Sequence, residues 1–253
     1  MFNLVFFTDT GLKRAHNEDS ILIDKKSSTF IIADGMGGHE KGEIASRIVA
    51  ECFIRQNSDK STEETENLRN NDTLVPDNST EKELNHNIHV ASRKMQEYVA
   101  ENGIDGTIGS TVVGVKYITN IQAWALFHLG DSRAYLFKNN SLLQLTTDHS
   151  KHEELKRKNV SKEEIEKSGK NIITKAVGNF NPFPLEIQYI STLPQDILFL
   201  CSDGVSDLCT HEELLLLFIQ YKDDLTLLST QIKQLVYNRG ARDNLSVIIV
   251  KIL

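Results

Sequence analysis

The chain has 253 residues, is 40% hydrophobic and 25% charged, and carries a formal net charge of −7. This length and composition predict one globular domain over residues 1–253 with a sizeable buried core. The acidic balance argues against nucleic acid or an anionic membrane surface as the main partner, and no apolar run is long enough to span a membrane.

Short strands and two helices are predicted in the first 100 residues. Strands are expected at residues 2–8, 20–24 and 29–33. A helix over 42–56 has its apolar residues on one face, and a second helix begins at Thr80, where Glu83 completes a capping box. Between them, residues 57–79 are polar and nearly free of large apolar side chains, which predicts a solvated loop.

Strand patterns return in the second half of the chain. They are expected at residues 109–118, 121–129, 133–137, 142–146, 185–191, 196–202 and 245–252. Gly130, Asp131 and Ser132 lie between two of these strands and are predicted to form a hairpin turn.

The remaining segments of the second half are predicted to be helical. Residues 151–171 are charged and indicate a small helical flap outside the core. One later helix is capped by Thr210 with Glu213, and the next begins near 223–224 and ends at Gly240.

Runs of strands therefore alternate with pairs of helices, which argues against a doubly wound parallel sheet. The pattern favours two antiparallel sheets packed face to face with helices on their outer faces. The expected fold class is α+β, with four layers in the order α/β/β/α.

Four aspartates lie beside a glycine or an asparagine at the edge of an apolar run: Asp34, Asp131, Asp203 and Asp243. Carboxylates at strand ends can converge on one edge of a sheet, and crowded carboxylates favour hard cations such as Mg²⁺ or Mn²⁺. Because Asp-Gly also forms turns, a simple hairpin corner is the alternative at any one of these positions.

The aspartates at 34, 203 and 243 are expected on the same rim, because the end of one antiparallel strand lies beside the start of its neighbour. Three unpaired carboxylates would repel one another strongly, so cation binding and folding of this rim should be coupled. Gly35 lets its carbonyl approach a cation closely. A glycine-rich phosphate cradle is a weak alternative, because neither common phosphate-loop pattern is present.

An N-terminal segment, residues 8–19, adds one basic and two acidic side chains. Arg14 could grip a phosphate dianion through its planar fork. Glu18 and Asp19 could hold metal-bound waters or orient the arginine. A surface loop of salt bridges is the alternative for this segment taken alone.

The three cysteines, Cys52, Cys201 and Cys209, lie in apolar surroundings and are predicted to be reduced and buried. None belongs to a C-x-x-C pair, which argues against structural zinc. Neither of the last two has an arginine six residues later, so a cysteine-nucleophile phosphatase loop is absent. The N-terminus lacks the pattern of a signal peptide, and we expect a cytoplasmic protein.

Several segments together resemble the metal-dependent serine/threonine protein phosphatases of type 2C, in their bacterial form. They are D-x-G-x-x-R-x-x-N-E-D at 9–19, ADGMGGHEKGEIAS at 33–46, GST at 109–111, GDSRAY at 130–135, LTTDHS at 145–150, ITKAVG at 173–178, LCSDGVSD at 200–207 and RDNLSVIIV at 242–250. Their order and combination are specific, and they extend over nearly the whole chain.

The resemblance implies a central β-sandwich flanked by helices, with two Mn²⁺ or Mg²⁺ ions at one end. Asp34 would bridge the ions, the Gly35 carbonyl would bind one of them, and Asp203 and Asp243 would complete the other. Asp131, together with Asp203, would match a third, more weakly held metal.

The remaining roles are also carried over from the resemblance. Arg14 would bind the substrate phosphate, with Glu18 and Asp19 as its supporting shell, and residues 151–171 would be the flap beside the active site. A hydroxide shared by the metals would attack phosphorus directly, without a phosphoenzyme.

One departure from the eukaryotic pattern concerns the proton donor. Eukaryotic members carry a histidine at the position of Met36, whereas the bacterial pattern also has methionine there. A methionine side chain cannot donate a proton. A metal-bound water, His39 or His149 are alternative donors, and His149 is equally interpreted as a structural hydrogen-bonding residue of its turn.

The expected function is hydrolysis of phosphoserine and phosphothreonine in proteins, so the protein is expected to be a phosphoric monoester hydrolase. It would oppose a serine/threonine kinase, and we expect it to be a monomer. The alternative is a non-catalytic phosphoprotein-binding or regulatory module on the same fold. Loss of the metal carboxylates would favour that alternative, but all four aspartates are present. A phosphatase acting on partner-switching antagonists is a third possibility, which the arginine at 14 and the flap disfavour.

Overall fold

The computed structural model describes residues 1–37, 41–54, 78–158, 160–161, 163 and 172–253. The predicted polar loop lies outside these residues except for its last two, and most of the second half of the predicted flap also lies outside them. No helix in the described parts of the chain has the length and apolar character needed to cross a membrane.

The described strands and helices follow the predicted order closely. The strands are β1 Phe2–Asp9, β2 Asp19–Asp24, β3 Thr29–Met36, β4 Gly109–Ser110, β5 Val112–Ile118, β6 Ala123–Leu129, β7 Arg133–Lys138, β8 Ser141–Gln144, β9 Val177–Gly178, β10 Glu186–Ile190, β11 Ile197–Cys201 and β12 Leu245–Ile252. The helices are α1 Lys41–Cys52, α2 Asn78–Glu101, α3 Lys151–Arg157, α4 Asp203–Ser206, α5 His211–Tyr221 and α6 Leu225–Asn238.

The strands form two sheets whose neighbours are antiparallel. One has the order β1-β12-β11-β7-β8, and the other has the order β10-β6-β5-β3-β4-β9 with β2 also paired to β3. The predicted antiparallel sandwich is therefore confirmed.

Strand alternation explains the four layers. In β3, Phe30 and Ile32 pack into the core between the sheets, whereas Ile31 and Ala33 face the helices α1 and α2. On the other sheet, Ile248 of β12 faces inward, while its neighbours pack beneath α5 and α6. Since successive side chains of a strand point to opposite faces, each central strand needs apolar residues at every position and is covered on both sides.

The predicted hairpin turn at Gly130, Asp131 and Ser132 is wrong. Strand β6 lies in one sheet and β7 in the other, so these three residues carry the chain across the sandwich. Gly130 has φ +122°, and a Cβ there would lie 2.6 Å from the side chain of Thr111. A strand pattern with a turn signal predicts that the chain changes direction, but it does not say which sheet the next strand joins.

Two helix ends also differ from prediction. The first helix ends at Cys52, before the expected residue 56, and α2 begins at Asn78. Thr80 therefore lies inside the helix, and the capping box predicted there is wrong. The box predicted at Thr210 is confirmed: its hydroxyl accepts from the N–H of Glu213, and the Glu213 carboxylate accepts from the N–H of Thr210.

Gly114 of β5 generates a testable prediction about packing. A Cβ at this position would lie 2.4 Å from the ring of Phe127, which stacks on Phe53 at a centroid distance of 5.2 Å. We expect Gly114→Ala to destabilise the protein by about 1–3 kcal/mol through overpacking. The measurement is urea unfolding in EDTA.

Phe127→Leu serves as the matched partner in a double-mutant cycle. Because leucine removes the ring atoms that a new methyl group would meet, Gly114→Ala should cost less in the leucine background, with a coupling of at least about 0.5 kcal/mol. Additive effects of the two substitutions would contradict this account of the packing.

Candidate metal and phosphate site

Five aspartates lie within charge-interaction range of one another at one end of the sandwich, and we call them the aspartate cluster: Asp19, Asp34, Asp131, Asp203 and Asp243. Asp19 and Asp34 are register partners in the β2–β3 pair. Asp203 lies two residues after the end of β11, and Asp243 lies two residues before the start of β12, the antiparallel neighbour of β11. Both sheets therefore contribute carboxylates to a common rim.

Asp19 is held by two serines that the sequence interpretation missed. Its Oδ2 accepts hydrogen bonds from Ser202 Oγ at 2.8 Å and Ser246 Oγ at 2.6 Å. Its Oδ1 is buried and has no hydrogen-bond partner among the described residues. Burial raises the pKa of Asp19 to about 7, despite these two hydrogen bonds. The carboxylate is thus oriented by neutral donors that leave its charge uncompensated.

Asp34 is positioned by its own backbone. Its N–H donates to Thr111 Oγ1 at 3.1 Å, and its carbonyl accepts from the N–H of Thr111 at 2.8 Å. The same threonine hydroxyl lies 2.8 Å from Ser132 Oγ, which follows Asp131. Burial, and then the charges of Asp19 and Asp203, hold the pKa of Asp34 well above its usual range. A chain of hydroxyl contacts therefore links two members of the cluster.

Gly35 is required by the close approach of helix α1. A Cβ there would lie 2.0 Å from the carbonyl oxygen of Gly42 and 2.7 Å from that of Glu18. The Gly35 N–H donates to the Glu18 carbonyl at 3.1 Å. The side chain of Glu18 lies against the first turn of α1, because a Cβ on Gly42 would be 2.4 Å from its Oε2. Glu18 is thus placed beside the rim by backbone contacts on both sides.

Arg14 and Asp243 form an ion pair, with Arg14 Nη2 2.7 Å from Asp243 Oδ2. The arginine side chain is 52% exposed and the aspartate side chain 33%. This hydrogen bond raises the pKa of Arg14, and the nearby carboxylates of Glu18 and Asp203 act in the same direction. The guanidinium group of Arg14 is therefore exposed to solvent at the edge of the aspartate cluster.

Asn244 fixes the loop that carries Arg14 and was missed by the sequence interpretation. Its Nδ2 donates to the carbonyls of Thr10 and His16, both at 2.9 Å, and its Oδ1 accepts from the N–H of Glu18 at 2.8 Å. Its place beside Asp243 in the Asp-Asn pair was the available signal. Asn244 thus ties the arginine loop to the start of β12.

Asp131 lies where the chain crosses between the sheets and is 9% exposed. Burial, followed by the charge of Asp203, raises its pKa to about 7. Its Oδ1 and that of Asp203 are buried without a hydrogen-bond partner in the described structure. A polar groove of about 380 Å³ opens from these two residues and runs between α3 and the start of α5.

The cluster fits a hard divalent cation. Its donors are all carboxylate oxygens, and three of these oxygens are buried without a hydrogen-bond donor among the residues described. Burial and mutual repulsion also raise the pKa of Asp203 to about 6. Like charges buried together are stabilised either by protons or by cations, and oxygen-only ligand sets suit Mg²⁺ and Mn²⁺.

Comparison with known proteins places these observations in a family. A family model described as Protein phosphatase 2C matches residues 12–236. A serine/threonine phosphatase stp from Listeria welshimeri is 34% identical over 215 residues, which cover 83% of this chain and 80% of that protein.

Solved structures agree with this assignment. The structure of a serine/threonine phosphatase from S. agalactiae has a TM-score of 0.81 at 25% identity and covers 100% of both chains. The catalytic domain of the phosphatase PstP, described in complex with two manganese ions, has the same fold, with a TM-score of 0.78 at 24% identity over 99% of this chain and 97% of that one. The chain therefore belongs to the protein phosphatase 2C family, and the predicted enzyme class, a phosphoprotein phosphatase, is confirmed.

Proposed function

We propose that this protein removes phosphate from phosphoserine and phosphothreonine in proteins at the aspartate cluster, with Arg14 as the phosphate-binding residue. The observation that carries the proposal is the convergence of carboxylates from both sheets, with oxygens left free of donors, beside one exposed arginine. Membership of the family supports the same reaction.

The residues that would hold two Mn²⁺ or Mg²⁺ ions are Asp34, Asp203, Asp243 and the carbonyl of Gly35. Asp131 together with Asp203 would hold a third, more weakly bound ion. When bound, such ions would neutralise charge on the phosphoryl group and would lower the pKa of water, which makes hydroxide available near neutral pH.

Arg14 binds and orients the phosphoryl group. Its contact to Asp243 uses one Nη2 hydrogen, which leaves most of its five N–H donors for phosphate oxygens. When the planar guanidinium group holds the phosphate dianion, it places the phosphorus atom beside the aspartate cluster. It also stabilises the negative charge that develops on the phosphate oxygens. Asp19, held by Ser202 and Ser246, and Glu18 would be the supporting acidic residues beside Arg14.

His149 is not placed to donate a proton to the leaving oxygen. Both of its ring nitrogens are engaged, Nδ1 with the N–H of Gly130 and Nε2 with Glu186. This geometry favours the interpretation of His149 as a structural hydrogen-bonding residue. The other histidine considered, His39, lies outside the described residues.

The wider biological assignment belongs to the same proposal. We infer a single phosphatase domain over residues 1–253, a serine/threonine kinase whose products it reverses, a monomeric state and a cytoplasmic location. The three cysteines are free thiols, which fits a reducing compartment; Cys201 and Cys209 are buried as predicted, whereas Cys52 is only partly buried.

Replacing Asp203 tests the reaction directly. The assay is hydrolysis of p-nitrophenyl phosphate and a phosphothreonine peptide during titration of Mn²⁺ and Mg²⁺. Because outer partners of a metal ligand already contribute 10–100-fold, losing a direct ligand in Asp203→Asn should reduce turnover by at least about 100-fold. No turnover by folded wild-type protein at any metal concentration would favour the phosphoprotein-binding module instead.

Replacing Arg14 separates phosphate binding from metal binding. We expect Arg14→Ala to lower kcat/KM for the phosphopeptide by about 100-fold, since one positioned donor to a developing oxyanion contributes about that much. Mn²⁺ affinity, measured by calorimetry, should stay the same or improve, because Asp243 loses a competing cation. Unchanged kcat/KM would exclude Arg14 as the phosphate-binding residue.

The raised pKa values predict how pH affects the metal-free protein. Folding raises the pKa of Asp131 from 3.8 to about 7, so its protonated form stabilises the fold at low pH and this contribution is lost as pH rises from about 4 to 7. In EDTA, Asp131→Asn should therefore lose less Tm than wild type between pH 5 and pH 8. An equal loss of Tm in both proteins would contradict the raised pKa of Asp131. Saturating Mn²⁺ should raise the Tm of wild type most at pH 8.

A further inference from the structure

His149 contacts both backbone polar groups of Gly130, the residue before Asp131. The N–H of Gly130 donates to His149 Nδ1 at 3.0 Å, and the carbonyl of Gly130 accepts from the backbone N–H of His149 at 2.8 Å. Both polar groups of this glycine are thus satisfied by one residue, at a backbone conformation of φ +122° that side chains rarely adopt. Asp131 follows this doubly contacted glycine directly in the chain.

The contacts to Gly130 and Glu186 together fix the tautomer of His149. Because Nδ1 accepts a hydrogen bond, the ring proton of the neutral imidazole is on Nε2, which lies 2.6 Å from Glu186 Oε1. Burial lowers the pKa of His149, which keeps the ring neutral near pH 7. Lys175 Nζ lies 3.3 Å from the same carboxylate oxygen and helps to hold it in place.

His128 supports the ring from its face. The two imidazoles stack at a centroid distance of 4.7 Å, and His128 is the cross-strand partner of Glu186. Burial, followed by the neighbouring His149, lowers the pKa of His128 to about 4, so it packs as a neutral ring.

These three side chains are not a cation site, although their ligand atoms lie within 4.8 Å of one another. A cation on His149 Nε2 would need the lone pair that the proton occupies. Moving that proton to Nδ1 would break the hydrogen bond from Gly130. The structure therefore favours a positioning role for the group.

His149 also joins the two chain segments at the base of the predicted flap. Its carbonyl accepts from the N–H of Thr174 at 2.8 Å, and the adjacent N–H of Lys151 donates to the carbonyl of Ile172 at 2.9 Å. Ser150 and Ile173 form a β-bridge between these contacts. One residue therefore connects this stem, formed by residues 150–151 and 172–174, to the backbone beside Asp131.

We propose that His149 is a positioning residue for the phosphatase: oriented by Glu186, its ring fixes the N–H of Gly130, the residue before Asp131, and thereby sets how tightly Asp131 and Asp203 hold the weakest cation. The inference rests on the proposed function, because it takes Asp131 as a ligand. Partners that orient metal-binding side chains typically contribute 10–100-fold to affinity, which gives the size of the expected effect.

The first experiment measures the contact itself by hydrogen exchange of the Gly130 amide in EDTA, where no cation or substrate takes part. We expect His149→Ala to lose protection and His149→Asn to keep it, because the asparagine Oδ1 can take the place of Nδ1 as acceptor. Equal protection in wild type and His149→Ala would overturn the proposal.

The second experiment measures Mn²⁺ binding by calorimetry. His149→Ala should bind the weakest Mn²⁺ about tenfold less tightly, whereas His149→Asn should stay within about twofold of wild type. A loss of Gly130 protection without any change in Mn²⁺ affinity would overturn the link between the histidine and the cation.

The Glu186 variants guard against a folding defect, since this side chain is 52% exposed. Glu186→Gln keeps an acceptor for the Nε2 proton, and Glu186→Ala removes it. We expect nitrogen NMR to show the wild-type tautomer of His149 in the glutamine variant and a mixture in the alanine variant, with weaker Mn²⁺ binding only in the latter. Wild-type behaviour of Glu186→Ala in both measurements would overturn the role of Glu186.

These measurements separate the inference from the proposed function. If wild type neither binds Mn²⁺ nor hydrolyses phosphopeptides, the proposed function fails, and with it the effect on the cation. The Gly130 exchange and the His149 tautomer are measured on metal-free protein. They still decide whether the histidine ring fixes the N–H of Gly130.

Discussion

Repulsion among buried carboxylates is the constraint on which the functional end of this protein depends. Asp19, Asp34, Asp131 and Asp203 come from strand ends of both sheets, and burial raises the pKa of each. Such an arrangement is unfavourable unless protons or cations compensate it. The sandwich supplies the rigidity that keeps these groups together, because each sheet is anchored by apolar layers on both faces.

The side chains around the cluster orient the carboxylates without neutralising them. Ser202 and Ser246 donate hydroxyl hydrogens to Asp19, and Thr111 contacts the backbone of Asp34. A lysine or arginine in these places would satisfy the charge and remove the reason to bind a cation. Among the described residues, Arg14 forms an ion pair with the cluster, and it lies at the exposed edge, where it can also contact a phosphate. In the proposed function, the neutral donors orient the residues that would hold metal, and Arg14 would contact the substrate.

The same end of the molecule is connected to its periphery through backbone contacts. Asn244 ties the loop of Arg14 to β12, and His149 ties the stem below the predicted flap to Gly130. Both residues act by fixing peptide groups next to a member of the cluster. A small displacement at either contact should therefore shift the carboxylates, because the closely packed layers beneath them cannot readily rearrange to absorb it.

The sequence by itself determined most elements, the family and four of the five aspartates of the cluster, whereas Asp19 was expected only as a supporting residue. Alternating apolar residues predicted nearly every strand, because burial on both faces requires them, and aspartates beside glycine or asparagine marked the rim. Tertiary structure decided what lies between elements distant in sequence. The residues around Asp131 cross between sheets, although locally they have the pattern of a hairpin, because sheet membership depends on pairing with strands far along the chain. The serines that hold Asp19 are more than 180 residues away from it, and the spacing of serines carries no signal of that contact.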